Sequence, residues 1–205
     1  PSSAGPPRDR ATLMGLLDSI LGRSRPKQAN LDALFAVPSA AITLRAAVGL
    51  APTGLGAVCY RPAGGAAFAQ AEQEIVELLR GAADAPDVRL EHDEFGFTWL
   101  VVDDDPDDVE GLVTDLHAVN TTLESHGFGP GLLCSLVPFA DATGRRAGLV
   151  YLYKQGTFYP FAPQAGAART RDNLLEIQLR DLLGGELPVE RDMSRWLAIW
   201  GAPGL

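Results

Sequence analysis

A helical stripe set between two groups of short strand-like runs constrains this chain most. Val109, Leu112, Val113, Leu116, Val119 and Leu123 recur at the spacing of one helix face, and Gly127 marks where that helix ends. Before it, residues 88–90 and 95–102 read as a hairpin turning at His92-Asp93-Glu94, with Phe95, Phe97 and Trp99 alternating onto one face. After it, residues 132–137 and 149–153 read as strands about the turn Thr143-Gly144-Arg145-Arg146. Residues 157–161 form a third strand after Gln155-Gly156. Strands joined by tight turns, with helices between them, predict an α+β fold with a largely antiparallel sheet.

The flanking segments extend this pattern. Asn30 is suited to cap a short helix through Leu34 and Phe35 that ends at the Val37-Pro38 step. Residues 40–48 and 57–61 read as strands around the Gly- and Pro-rich turn 49–56. Residues 66–79 read as a helix with Phe68, Ala71, Ile75, Leu78 and Leu79 inward and Glu72, Glu74 and Glu77 outward. A linker at 163–168 precedes two closing helices. The first carries Leu174, Leu175, Leu179, Leu182 and Leu183; the second carries Met193, Trp196, Leu197 and Trp200 at i, i+3, i+4 and i+7. A long helix between antiparallel hairpins resembles the type III secretion chaperone-like fold, an analogy that carries no function by itself.

The expected organisation is a single α+β domain over residues 28–205 and a mobile tail over 1–27 with a short amphipathic helix. In that tail Leu13, Met14, Leu16, Leu17, Ile20 and Leu21 share one face, Arg23, Arg25 and Lys27 follow, and Pro26 stops the helix. Such a segment suits a membrane surface or a protein partner, with Leu16, Leu17, Ile20, Leu21, Arg23, Arg25 and Lys27 as the contact residues. Asp18 interrupts the apolar part and the main positive charges lie after it, which is the wrong order for a signal peptide. Residues 1–12 lack a pattern, and are expected either to precede a true start at Met14 or to form a disordered tail.

Charge and cysteine usage narrow the function classes. The formal net charge of −9 argues against nucleic acid, whose phosphates need clustered Lys and Arg. No apolar run approaches the ~20 residues that span a bilayer. Cys59 and Cys134 sit in apolar strand-like runs, without the CxxC or His/Cys spacing of a metal site. They read as buried reduced thiols, which places the chain in a reducing cytoplasm.

Candidate chemistry is sparse. The run Asp103-Asp104-Asp105-Pro106-Asp107-Asp108 lacks the alternating ligands, Gly and terminal Glu of a calcium loop. It suits a helix start with Asp105 as cap and Pro106 in the first helical position. His92, His117 and His126 have no GxSxG-type nucleophile elbow to serve. The Gly pairs match neither a phosphate-binding loop nor a dinucleotide fingerprint. No catalytic residue, cofactor or metal is therefore expected. Met193, Trp196 and Trp200 remain as an interaction face, in competition with packing onto the chain's own sheet.

Residues 14–24 (MGLLDSILGRS), continuing through residues 30–40 (NLDALFAVPSA), resemble the PspAB family of phage-shock-protein-A-associated proteins. Residues 56–62 (GAVCYRP), 93–97 (DEFGF) and 149–161 are similar too, so the resemblance runs from Met14 to the C-terminus. It implies association with the envelope-stress system built on the membrane-binding protein PspA, and with a membrane zinc protease whose HExxH motif this chain lacks. It implies no catalytic residues. The expected protein is thus a non-enzymatic cytoplasmic component, acting through protein contacts and peripheral at the inner membrane face, with a PspA-like protein or the protease as partner. A homodimer, and a chaperone or adaptor that takes a client peptide, stay open as alternatives. A hydrolase acting through His92 or His117 would need a pocket joining one of them to a nucleophile and a carboxylate.

Overall fold

The computed structural model describes residues 30–81, 85–166 and 168–205. The amphipathic segment with Leu16, Leu17, Ile20, Leu21, Arg23, Arg25 and Lys27 lies outside the described residues. Among those residues, seven antiparallel strands form one open sheet, accompanied by four α-helices. The strands are β1 (Ala51–Pro52), β2 (Leu55–Tyr60), β3 (Asp87–His92), β4 (Thr98–Asp103), β5 (Leu132–Ala140), β6 (Arg146–Leu152) and β7 (Thr157–Phe161). The helices are α1 (Val37–Val48), α2 (Ala66–Arg80), α3 (Val109–Ser125) and α4 (Asn173–Leu183). The sheet runs β3-β4-β2-β5-β6-β7, with β1 paired to β5.

The period of two along each strand gives the sheet two buried faces. Val58, Tyr60, Leu100, Val102, Phe139, Leu149 and Tyr151 point to the helices. Ala57, Cys59, Trp99, Val101, Cys134, Leu136 and Val150 point the other way. The predicted α3 stripe packs on the first face, with Leu112, Val113, Leu116, Val119 and Leu123 buried. It lies close to β2 because Gly56 has no side chain: a Cβ there would stand 2.9 Å from Leu112 Cδ1 and 3.0 Å from Leu116 Cδ1. The opposite face is covered by irregular chain from the C-terminal segment, including Trp196 and Ala202.

Several local expectations are corrected. Residues 40–48 are helical, not a strand: Pro38 sits in the first turn of α1, where its missing N–H costs nothing, and left-handed Gly49 ends the helix. The helical segment Leu31–Val48, 18 residues with mean hydropathy 1.5, is by length and composition alone apolar enough to cross a membrane. Its inner face, with Leu34, Val37, Ala40, Ala41 and Leu44, packs into the helix-side core. Asn30 starts this segment through its carbonyl, which accepts from Ala33 N at 3.1 Å, and makes no side-chain cap. Leu78 and Leu174 are exposed.

The acidic run starts α3 as expected, but the cap is Asp108, whose Oδ1 accepts from Gly111 N at 2.8 Å. Asp105 instead closes a local turn by accepting from Asp107 N at 2.9 Å, which leaves Pro106 outside the helix. Replacing Asp108 by Ala will lower stability by about 1 kcal/mol in urea unfolding, through the lost cap. Asp105→Ala will cost less than Asp108→Ala. The reverse order would return the cap to Asp105.

The second closing helix does not form. Met193–Arg195 is a single 3-10 turn, capped by Asp192, and irregular chain follows. Carbonyls that a helix would use internally go elsewhere: Trp196 O accepts from Arg171 Nη1 at 2.7 Å, and Leu197 O accepts from the Tyr159 hydroxyl at 3.0 Å. The helical spacing of Met193, Trp196 and Trp200 therefore does not make one face. Met193 is 51 % exposed, Trp196 is 5 % exposed and Trp200 is half-buried.

Candidate interaction slot

The C-terminal segment leaves a gap on the sheet face it covers. The β3–β4 loop forms one wall of this gap through Phe95 and Phe97, and residues 197–200 form the other. Cys59 of β2, Trp99 of β4, Cys134 of β5 and Tyr159 of β7 contribute to the slot. Its volume is about 250 Å³, and its walls are apolar and aromatic except for Asp93 at the rim.

Each wall is held in place. Asp93 Oδ1 accepts from the backbone N–H groups of Phe95 and Phe97, both at 2.9 Å, and Asp93 Oδ2 accepts from Trp99 Nε1 at 3.1 Å. One carboxylate thus fixes both the loop and an indole ring. The Arg61 guanidinium lies 5.8 Å from the Phe97 ring centroid, a cation–π contact. On the other wall, Trp196 stacks on Tyr159 at 6.0 Å, Trp200 meets Phe161 edge-on at 5.0 Å, and the Trp196 indole donates to Glu190 O at 3.1 Å. Burial pushes the Tyr159 hydroxyl well above its ordinary pKa, so it serves as the neutral donor that fastens Leu197. The mouth nevertheless exposes large apolar side chains, Phe95 at 62 % and Leu197 at 60 %. The mouth thus combines locally hydrogen-bonded walls with exposed apolar side chains.

Two further cavities have different walls. One, of about 540 Å³, lies where Pro38, Ile42 and Ala46 of α1 face Pro106 and Val109, with Arg45 and Asp107 paired at 3.3 Å. The other, of about 560 Å³, is lined by Arg145, Arg146, Arg169 and Trp200. Its cations have partners: Arg145 bonds Asp141 at 2.7 Å, Arg146 donates to Gly204 O at 2.9 Å, and Arg169 pairs with Glu94 at 2.6 Å.

None of the histidines lines any of these three cavities. His92 Nδ1 is 3.1 Å from Oγ1 of Thr98, a fully buried side chain. His117 meets the Phe35 ring at a tilt, 4.9 Å between centroids, and lies 3.5 Å from Asp32, and His126 pairs with Glu74 at 3.0 Å. Among the described residues, no three His, Cys, Asp or Glu side chains are grouped to hold a metal. The sheet edges are also guarded. Edge strand β3 carries Asp87, Arg89 and Glu91, which disfavour an added strand. The β7 edge is occupied by residues 188–190: Phe158 N donates to Pro188 O at 2.8 Å and Glu190 N to Phe158 O at 2.7 Å.

The chain matches the model of one protein family, PspAB, described as PspA associated protein B, over residues 14–204. It belongs to that family. No curated protein and no solved structure matches it. The PspAB match includes both walls of the slot and also the amphipathic segment from Met14 onward. Of the interaction face read from sequence, Trp200 lines the slot, Trp196 packs behind it, and Met193 stands outside it. Sequence reasoning missed Cys59, Cys134 and Phe95 as slot residues, since only pairing across β2, β4 and β5 brings them together. The one available signal was the alternation of Phe95, Phe97 and Trp99, all three of which line the slot.

Proposed function

We propose that this PspAB protein is a non-enzymatic cytoplasmic component of the PspA envelope-stress response, acting by direct contact with PspA. An apolar segment of PspA is the occupant of the slot. The exposed apolar mouth of the slot, in a chain of the PspA-associated family, carries this reading. Phe95, Leu197 and Trp200 supply the contact, because aromatic anchors at a rigid rim concentrate binding energy. The guarded edges of β3 and β7 favour a side-chain groove over strand addition for any client peptide.

The amphipathic segment has a separate role at the inner membrane face. Its apolar face and Arg23, Arg25 and Lys27 suit weak, reversible contact with anionic lipid, at roughly 1 kcal/mol per basic side chain. One pair of chains tests both assignments: the full chain, and the chain lacking residues 14–27, each mixed with cognate PspA and separately with anionic or neutral vesicles. Both chains should retain PspA. Only the full chain should sediment with anionic vesicles, neither with neutral ones, and salt should release it. Failure of the full chain to retain PspA would overturn the proposed function, and equal sedimentation of both chains would remove the membrane role.

A further inference from the structure

Cys59 and Cys134 stand directly opposite each other in the antiparallel register of β2 and β5. Both side chains project to the C-terminal-segment side of the sheet, and both line the slot. Opposed residues in such a pair have Cα atoms about 4.5 or 5.5 Å apart, depending on whether the pair is hydrogen-bonded. A disulfide is built at Cα separations of about 4.4–6.8 Å, so either case lies within its reach. Both thiols are free. The neighbouring Cys134 thiol, and then burial, push the Cys59 thiol above its ordinary pKa. Cys59 therefore keeps its proton, and Cys134, the less enclosed of the two, is the sulfur that a reagent in the slot meets. The slot volume of about 250 Å³ is ample for a molecule the size of hydrogen peroxide.

We propose that Cys59 and Cys134 form a peroxide-oxidisable dithiol that closes to a cross-strand disulfide on the slot floor. Cys134 sulfur attacks one peroxide oxygen, the O–O bond breaks, and Cys134 becomes a sulfenic acid as one water leaves. Cys59 sulfur then attacks the sulfenic sulfur; the S–O bond breaks, and the departing hydroxyl takes the Cys59 proton as a second water. Two thiols and one hydrogen peroxide thus give one disulfide and two waters, with both electrons passing to the peroxide. In a reducing compartment a disulfide of this kind is transient and is reopened by external thiols. Peroxide reaches the pair through the open slot, so the reaction belongs to the chain free of PspA and does not depend on PspA being its partner.

The test uses the full chain, reduced with dithiothreitol, desalted, exposed to hydrogen peroxide while native, then alkylated and mapped by mass spectrometry. The expected product has lost two hydrogen atoms per chain, blocks both thiols together, joins the Cys59 and Cys134 peptides, and is fully reversed by dithiothreitol. In Cys59→Ser, Cys134 should stop at sulfenic acid and be trapped by dimedone. Three results would overturn the proposal: both thiols still alkylated after peroxide, oxygen added to Cys134 without a link in the wild-type chain, or a link between two chains instead of within one.

Discussion

Trp196→Ala will destabilise the protein by about 3–5 kcal/mol, the usual cost of emptying a large buried aromatic site. The indole is buried against Tyr159 and its N–H is bonded to Glu190 O. Its loss would strip a buried anchor from the irregular chain that packs on this sheet face. Urea unfolding of Trp196→Ala beside Met193→Ala checks this directly. The exposed Met193 should be nearly neutral on truncation, although the two residues look equivalent in a helical reading of the sequence. Equal costs at the two positions would restore the closing helix.

The second large effect is expected at Glu176. This carboxylate, 3 % exposed on α4, accepts from Ala162 N at 2.9 Å and from Arg171 Nε at 2.8 Å. Arg171 also lies 5.0 Å from the Phe161 ring centroid and bonds Trp196 O, so one ion pair ties α4 to β7 and to the C-terminal segment. Glu176→Ala leaves a largely buried guanidinium and a buried N–H unpaired, at a cost of about 3–5 kcal/mol. Glu176→Gln keeps an acceptor for Ala162 N and should lose less. The exposed pair Arg180–Asp181 is the control, and Asp181→Ala should leave the unfolding midpoint unchanged. If Glu176→Ala were as mild as that control, the pair would not be what fastens α4.

Local signals made much of this fold legible. The α3 stripe and the turns about Gly144 and Gly156 are short-range patterns, and the structure follows them; the β3–β4 hairpin forms too, but β4 begins at Thr98, so Phe95 and Phe97 lie in the loop and not on the expected strand. Residues 40–48 misled because Ile42, Thr43 and Val48 are β-branched and Pro38 resembles a stop. Burial of Ala40, Ala41 and Leu44 decided for a helix instead. The acidic run offered several caps, and Asp108 is the one that bonds a first-turn N–H of α3, that of Gly111, while Asp105 is taken up by the preceding turn. At the C-terminus a periodic apolar pattern lost to long-range bonds from Arg171 and Tyr159. The slot was illegible for the same reason: its walls come from residues 59, 93, 95, 97, 99, 133–134, 152, 159 and 197–200. No window along the chain contains them together.

The most direct test is titration of cognate PspA into three forms of the full chain: wild type, Phe95→Asp and Ile42→Asp. Both substituted side chains are exposed, so neither change should disturb the core. Phe95 stands at the slot mouth and Ile42 beside the α1 cavity on the helix side of the sheet. The predicted result is a loss of affinity of about tenfold or more for Phe95→Asp, or ~1.4 kcal/mol, with Ile42→Asp binding as wild type. Wild-type affinity in Phe95→Asp, or the loss appearing in Ile42→Asp instead, would contradict docking in the slot.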